Sequence, residues 1–312
     1  MAFQSTSGHN NLPSGNFTPE IFSQKVLKFF RRASVAEDIT NTDYAGEIEN
    51  FGDTVRIIKE PTITVASYAR GAVINPQDLA DDQTTMVVDQ ANAFAFKIDD
   101  IEERHSHVNF EALATSSGAF SLKRKYDANI LQAMADGAGI TGTTIGTAAS
   151  PVDITGSGNE DAAVNLLLSM ARLMDDNSVP EENRWFVAPP VFYENMFKAG
   201  AKFAEVQVTG DATSPLRNGL VMQGNIAGFN CYKSTVLNNS GTDVVTITSQ
   251  DTTNDFVVLG GHMSSTSTAS HIAKTEVVRS TETFSDIVRG LHVFGRKVLR
   301  PEALAVGVVK TD

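Results

Sequence analysis

The glycines of Gly137-Ala-Gly139-Ile-Thr-Gly142 spell GxGxxG. With that spacing a helix N-terminus can receive a pyrophosphate, provided that a strand precedes the motif and a helix follows it. Here the preceding residues have helical spacing, and residues 139–158 form a Gly/Thr/Ser-rich loop. The context predicts a helix stop and a loop, not a nucleotide cradle. His105 and His107, with Glu102 and Glu103 nearby, have a strand-like metal spacing, but no second cluster supplies the remaining ligands. Asp99-Asp100 and Glu102-Glu103 form a carboxylate run, whereas glycosidase pairs face each other across a cleft from distant positions. Ser264-Ser265-Thr266-Ser267-Thr268 reads as a loop, and neither a GxSxG elbow nor a Walker A loop is present. The single cysteine, Cys231, excludes an internal disulfide and reads as a small buried hydrophobe. These residues assign no catalytic role, cofactor or metal.

The 312 residues are 41% hydrophobic and carry a net charge of −12. That length can bury a sizeable core. No apolar run approaches the roughly 18 residues of a membrane span, so no membrane partner is expected. The polar opening MAFQSTSGHNNLPSGNF lacks the pattern of a secretory signal. Proteins that grip nucleic acid are usually basic, at least regionally. This chain has only the short clusters Arg31-Arg32, Lys123-Arg124-Lys125 and Arg296-Lys297, which read as solvated faces or ion-pair partners.

The elements that would position any site are well marked. Residues 1–20 read as a polar arm. Ile21, Phe22, Val26, Phe29 and Phe30 make one helical stripe ended by Arg31 and Arg32. Period-two patterning begins at Thr54-Val55-Arg56-Ile57, returns at Thr62-Ile63-Thr64-Val65, and resumes through Met86, Val88, Phe94, Phe96 and Ile98. This predicts two long strands joined by a polar tip, an extended hairpin too poor in apolar surface to stand alone. Leu122, Tyr126, Ile130, Ala133 and Met134 predict a long helix over 109–136, with Gly118 a candidate kink and Gly137 a stop. A second helix follows Asn159-Glu160-Asp161, with Val164, Leu167, Leu168, Ala171 and Met174 on its apolar face. Trp185-Phe186-Val187 reads as a buried strand and Pro189-Pro190 as the start of a third helix through Phe197, stopped by Gly200. Strands are predicted at 229–236, 243–248, 256–259, 272–279, 287–299 and 303–309. Arm, long hairpin and overlong helix are pieces for which a monomer has little use.

In order, these elements resemble the HK97-type major capsid proteins of tailed bacteriophages, nearest to those of podophages and cyanophage-like viruses. The resemblance is carried by Gln90-Ala-Asn-Ala-Phe94-Ala-Phe96-Lys97-Ile98-Asp99-Asp100, by Gly224-Asn-Ile226-Ala-Gly228-Phe229-Asn-Cys-Tyr232-Lys-Ser234, and by Leu299-Arg300-Pro301-Glu302-Ala303 followed by Val306 to Val309. It implies an α+β, HK97-type fold. The N-terminal arm would be 1–45, the extended loop (E-loop) hairpin 46–98, the peripheral domain with its spine helix 99–137 plus about 272–299, and the axial domain 138–271 plus 300–312. It also implies a non-enzymatic, cofactor-free subunit, made in the host bacterial cytoplasm, that assembles as hexamers and pentamers into an icosahedral virion shell around double-stranded DNA. Scaffolding protein, portal and a decoration protein would be partners besides the chain itself. Contact candidates are Arg70, Asp78, Asp81 and Asp82 at the hairpin tip and Phe29, Phe30, Arg31 and Arg32 in the arm. The alternatives are an encapsulin-like cellular compartment shell and an NAD(P)-binding enzyme using residues 137–142.

The charge balance sets an expected outcome for DNA. The soluble subunit should bind it weakly and without sequence preference, with a salt slope of about one unit per phosphate contacted. Gel-shift titration at several salt concentrations checks this, and tight sequence-selective binding would contradict it.

Overall fold

The computed structural model describes residues 34–44, 54–58, 60, 63–65, 67–71, 73, 83–100, 110–156, 158–159, 161–196, 225–241, 243–251 and 253–311. Its centre is a six-stranded mixed sheet in the order β4-β11-β8-β5-β7-β6. The strands are β4 (Val152–Asp153), β5 (Arg184–Ala188), β6 (Asn225–Ile226), β7 (Phe229–Lys233), β8 (Asp255–His262) and β11 (Leu304–Lys310). β5 and β8 are antiparallel, with Val187 opposite Leu259, and β5 runs parallel to β7. Successive side chains of a strand point to opposite faces. Phe186, Val258, Ala305 and Val309 therefore enter one apolar layer, while Trp185, Val187, Val257, Leu259, Leu304 and Val306 enter the other. Burial on both faces explains why these strands read as continuous apolar runs instead of alternating ones.

Helices supply each layer. α3 (Ala162–Asp176) and α4 (Pro190–Met196) cover the first face with Leu166, Leu167, Met170, Met174, Phe192 and Met196. The second face is covered by Ile130, Leu131 and Met134 of α2 (Phe110–Gly137) and by Ala36 and Ile39 of the short α1 (Ala36–Ile39). At about 1.5 Å per residue, the 28 residues of α2 span roughly 42 Å. One small sheet cannot cover that length. The N-terminal half of α2 packs instead on a second, three-stranded antiparallel sheet, β3-β10-β9, made by β3 (Gln90–Asp99), β9 (Thr266–Arg279) and β10 (Ser285–Val298). β10 pairs with β3 from Ser285–Asp99 to Phe294–Gln90, and with β9 across a register shift at Val293/Phe294.

Gly118 lies within the continuous helix α2. A Cβ there would meet the Phe94 ring at 2.7 Å, and one at Gly290 would meet the same ring closer still. Phe94 is clamped between two glycines, and that close approach accounts for both.

The hairpin is β1 (Thr54–Ile58) paired antiparallel with β2 (Gln83–Val87), Val55 opposite Met86. Val55, Met86 and Val88 pack on Ala269 and Val293, which seats its base on the three-stranded sheet. The second alternating run therefore divides at Val88-Asp89: Met86 belongs to the hairpin, while Phe94 and Phe96 belong to β3. Residues 63–65 are not in a strand.

Other expectations need correction. In α3, Leu167 and Met174 are buried as expected, but Leu168 is exposed, and Ala163, Leu166 and Met170 complete the buried stripe. Residues 243–248 form no strand, because Thr246 exchanges both backbone bonds with the Gln132 side-chain amide of α2, at 2.9 and 3.0 Å. β7 stops at Lys233, and Ser234 caps a 3₁₀ turn over Thr235–Leu237. Ser264–Thr268 is not a surface loop: Ser265 through Thr268 are buried, and Thr266 begins β9. Phe197 and Gly200 lie outside the described residues.

Substituting alanine at Gly118 or Gly290 should cost about 1–3 kcal/mol by overpacking. Phe94→Leu should recover part of that cost in the double variants but not in the parent, and urea unfolding of the single and double variants checks the coupling.

Candidate assembly surfaces

Two surfaces of the described residues carry large exposed apolar side chains. The first is the hairpin arm. Beyond its seated base, Val65 is 92% exposed, Val73 86% and Ile58 82%, with Ile63 and Tyr68 also exposed. Alternation puts Ile63 and Val65 on this arm, and no strand or helix among the described residues covers them. Arg70 is exposed at the turn it makes with Gly71, whose φ of +88° suits glycine. Asp78, Asp81 and Asp82 lie outside the described residues, as do Phe29, Phe30, Arg31 and Arg32 of the arm.

The second surface is the far end and open face of the three-stranded sheet. Phe284, in the β9–β10 turn, is 82% exposed, and Val277 and Val278 are also exposed. The turn is fixed from both sides. Arg279 donates to Asp100 at 2.7 Å and to Asp286 at 3.0 Å, and this pairing raises the guanidinium's already high pKa. Asp100 is thus an ion-pair partner, and Glu102 and Glu103 lie outside the described residues. On the face turned away from α2, Ala93, Ala95 and Leu291 floor a groove of about 560 Å³ beside Lys274, Glu276 and Arg289. Glu276 accepts from Arg289 and pairs with Lys274 at 3.3 Å, and these cations hold its carboxyl below the usual range.

The chemical motifs resolve into packing. Gly137 lies against Val298, where a Cβ would approach to 2.7 Å, and a Cβ on Gly139 would meet the Pro301 carbonyl at 2.6 Å. The Gly139 amide donates to Pro301 O at 2.9 Å and the Ile140 amide to Leu304 O at 3.0 Å. These amides tie the loop to the start of β11 and are not offered to a phosphate. Cys231 is half-buried on β7, its thiol pushed up to about 11 by burial, which keeps it protonated and unreactive at neutral pH. Among the described residues there is no group of three or more metal-ligating side chains, and His105 and His107 lie outside them. No helix among them is long and apolar enough to cross a membrane. The basic cluster at 123–125 is largely neutralised within the subunit, with Lys123 on Glu37 at 2.8 Å and Arg124 on Asp243 at 2.7 Å.

With apolar ledges for surfaces and loops for motifs, the family comparison is decisive. Residues 59–307 match the family model described as phage capsid protein. The chain belongs to that family. It is a structural shell protein of the virion and not an enzyme, and the matched family is one of phage shells. No curated protein matches the sequence. Solved structures agree along nearly the whole length. The chain is similar to one from Mycobacterium phage Che8, with 26% identity and a TM-score of 0.75, covering 93% of this chain and 97% of that one. The capsid structure of cyanophage P-SCSP1u gives 18% identity and a TM-score of 0.69 over 97% and 96% of the two chains. The mature capsid of bacteriophage PhiM1 gives 15% and 0.67 over 94% and 91%. The fold is the HK97-type capsid fold expected from the order of elements.

The residues missed from sequence sit where polar groups are buried by distant partners. Asp127 is one: nothing in Lys125-Tyr-Asp127-Ala marks it as a buried acceptor. His292 is another. Its ring stacks on Phe294 at 5.3 Å and meets Tyr126 at 5.0 Å, and its Nε2 lies 2.7 Å from Ser270 Oγ. Burial lowers its pKa, against a smaller opposing pull from Glu37. His262 is also lowered by burial.

The sign of the pH dependence follows. A histidine whose folded pKa is depressed binds more protons when unfolded, so its contribution is full above the unfolded value of about 6.5 and declines as pH falls below it. Asp153 and Glu276, both lowered, add losses only in the carboxylate range. The melting temperature should thus begin to fall between pH 7 and 5, before the carboxylates titrate. His292→Phe, which keeps a ring in the stack, should flatten that first decline. Melting curves across pH for both proteins check it.

Proposed function

We propose that the chain assembles as hexamers and pentamers into an icosahedral shell enclosing double-stranded DNA, and that the β1–β2 hairpin is the clamp between neighbouring subunits. The observation that carries the clamp is the row Ile58, Ile63, Val65, Tyr68 and Val73, exposed on an arm whose base packs on the three-stranded sheet. Fully burying one such side chain is worth about 1.5–3 kcal/mol. A neighbour that covered several would gain more than the exposed ion pairs of the same surface could give, at about 0–1 kcal/mol each.

In this reading residues 46–98 act as the extended loop, with Gln90–Asp99 tied to β10. Residues 99–137 with about 272–299 act as the peripheral domain, α2 being its spine, and residues 138–271 with 300–312 act as the axial domain. Arg70, Asp78, Asp81 and Asp82 set register at the tip, and Phe29, Phe30, Arg31 and Arg32 make contacts from the arm. Synthesis in the host bacterial cytoplasm, a scaffolding protein, a portal and a decoration protein belong to the same proposal. DNA is held by confinement more than by affinity, as a net charge of −12 and internally paired cations favour.

Replacing residues 69–83 by a short glycine-containing turn should leave the subunit folded by circular dichroism and melting, since few core residues are lost. Shells should be absent or fragile by electron microscopy, and Arg70→Glu should act the same way more mildly. Shells of normal size and heat resistance from the shortened protein would remove the clamp, and failure to fold would place the hairpin in the subunit's own core.

A further inference from the structure

We infer that residues 34–44 are a strap that docks on the body as one unit, with Asp127 as its catch and positioning residue. A four-residue helix has no stability of its own, because helix nucleation is unfavourable and α1 stops before propagation can repay it. Its N-cap, Val35, has no side chain able to bond the free amides at that end. The missing cap comes from α2, 91 residues away along the chain. Asp127 Oδ1 accepts from the Ala36 amide at 2.8 Å, the Val35 amide at 3.0 Å and the Ser34 hydroxyl at 3.1 Å.

The dependence is mutual. Asp127 is 1% exposed, and a carboxylate taken out of water is tolerated only where donors replace the water it loses. With the strap away, these three donors go too. Strap and carboxylate therefore favour one joint state over any half-docked one.

The far end is also held by polar contacts. Thr40 Oγ1 lies 3.0 Å from Thr268 Oγ1, and Asn41 makes a single parallel bridge to β9: its amide donates to Thr266 O at 3.0 Å, and its carbonyl accepts from the Thr268 amide at 2.9 Å. Ser267 Oγ donates to the same carbonyl at 3.2 Å. Between the two ends, Ala36 and Ile39 are fully buried against the α2 side of the core, and Glu37 faces Lys123 outside. The strap thus ties α2 to the start of β9, with Asp127 fixing the position of its N-terminal end.

Hydrogen exchange on the full chain tests it. Asp127→Ala should speed exchange at Val35, Ala36, Asp38 and Asn41 by about 100-fold, the range expected when hydrogen bonds to a charged group are lost. Amides in β8 and β11 should change by less than about threefold. Ser34→Ala should act in the same direction but less, and should add nothing in the Asp127→Ala background, because the two share one bond. Unchanged exchange at Val35 and Ala36 would overturn the catch. Protection lost equally across α2, β8 and β11 would overturn the strap, making these residues ordinary core. Should Asp127→Ala fail to fold, Thr268→Val loosens the opposite end: Asn41 and Ala36 should then speed up together, and a response confined to Asn41 would show that the segment is not a unit.

Discussion

The architecture depends on one helix lying on two floors. The C-terminal half of α2 buries Ile130, Leu131 and Met134 against the six-stranded sheet, and its N-terminal half lies on the three-stranded sheet, where Gly118 admits the Phe94 ring. Because an α-helix is stiff over this length, neither sheet can turn without the other or without breaking one contact. The base of the hairpin inherits the same constraint through Val55, Met86 and Val88 on Ala269 and Val293. The angle at which the hairpin leaves the body is therefore set by packing, through the same helix that joins the two sheets.

What was legible in the sequence follows from how strongly each pattern was forced. Trp185-Phe186-Val187 and Phe256 to Leu259 announced central strands because both faces are covered and no polar residue interrupts them. α2 announced itself through Tyr126, Ile130 and Met134. The face of α3 did not, since Ala-Ala-Val-Asn-Leu-Leu-Leu-Ser-Met is apolar almost all round, and only the position of the sheet decides that Leu166 goes in and Leu168 out. Residues 243–248 had the composition of a strand but lost the pairing to Gln132, a side chain that satisfies backbone groups as well as a neighbouring strand would.

The polar residues were the least legible. Ser267 and Thr268 have the composition of a loop, yet they are buried, and Thr40 and Asn41, more than 200 residues earlier, bring hydroxyl and backbone partners to them. Asp127 is hidden for the same reason. Most buried polar side chains depend on a partner, and a partner distant in sequence leaves no periodicity to detect. The exposed apolar surfaces were legible in part: alternation placed Ile63 and Val65 along the hairpin, but only the folded chain shows them and Ile58 exposed.

The glycines 137, 139 and 142 make the same point in reverse. Their spacing is that of a phosphate cradle, and glycine serves there because the backbone must come close to a ligand. Here the backbone does come close, but at Gly137 and Gly139 it meets Val298 and the Pro301 carbonyl, while Gly142 meets nothing. Close approach is thus a demand that protein can make on protein as readily as on a cofactor. What separates the cases is where the amides point, and those of Gly139 and Ile140 are already bonded to the chain that leads into β11. A subunit whose role is to be held in place uses its tight turns to hold itself.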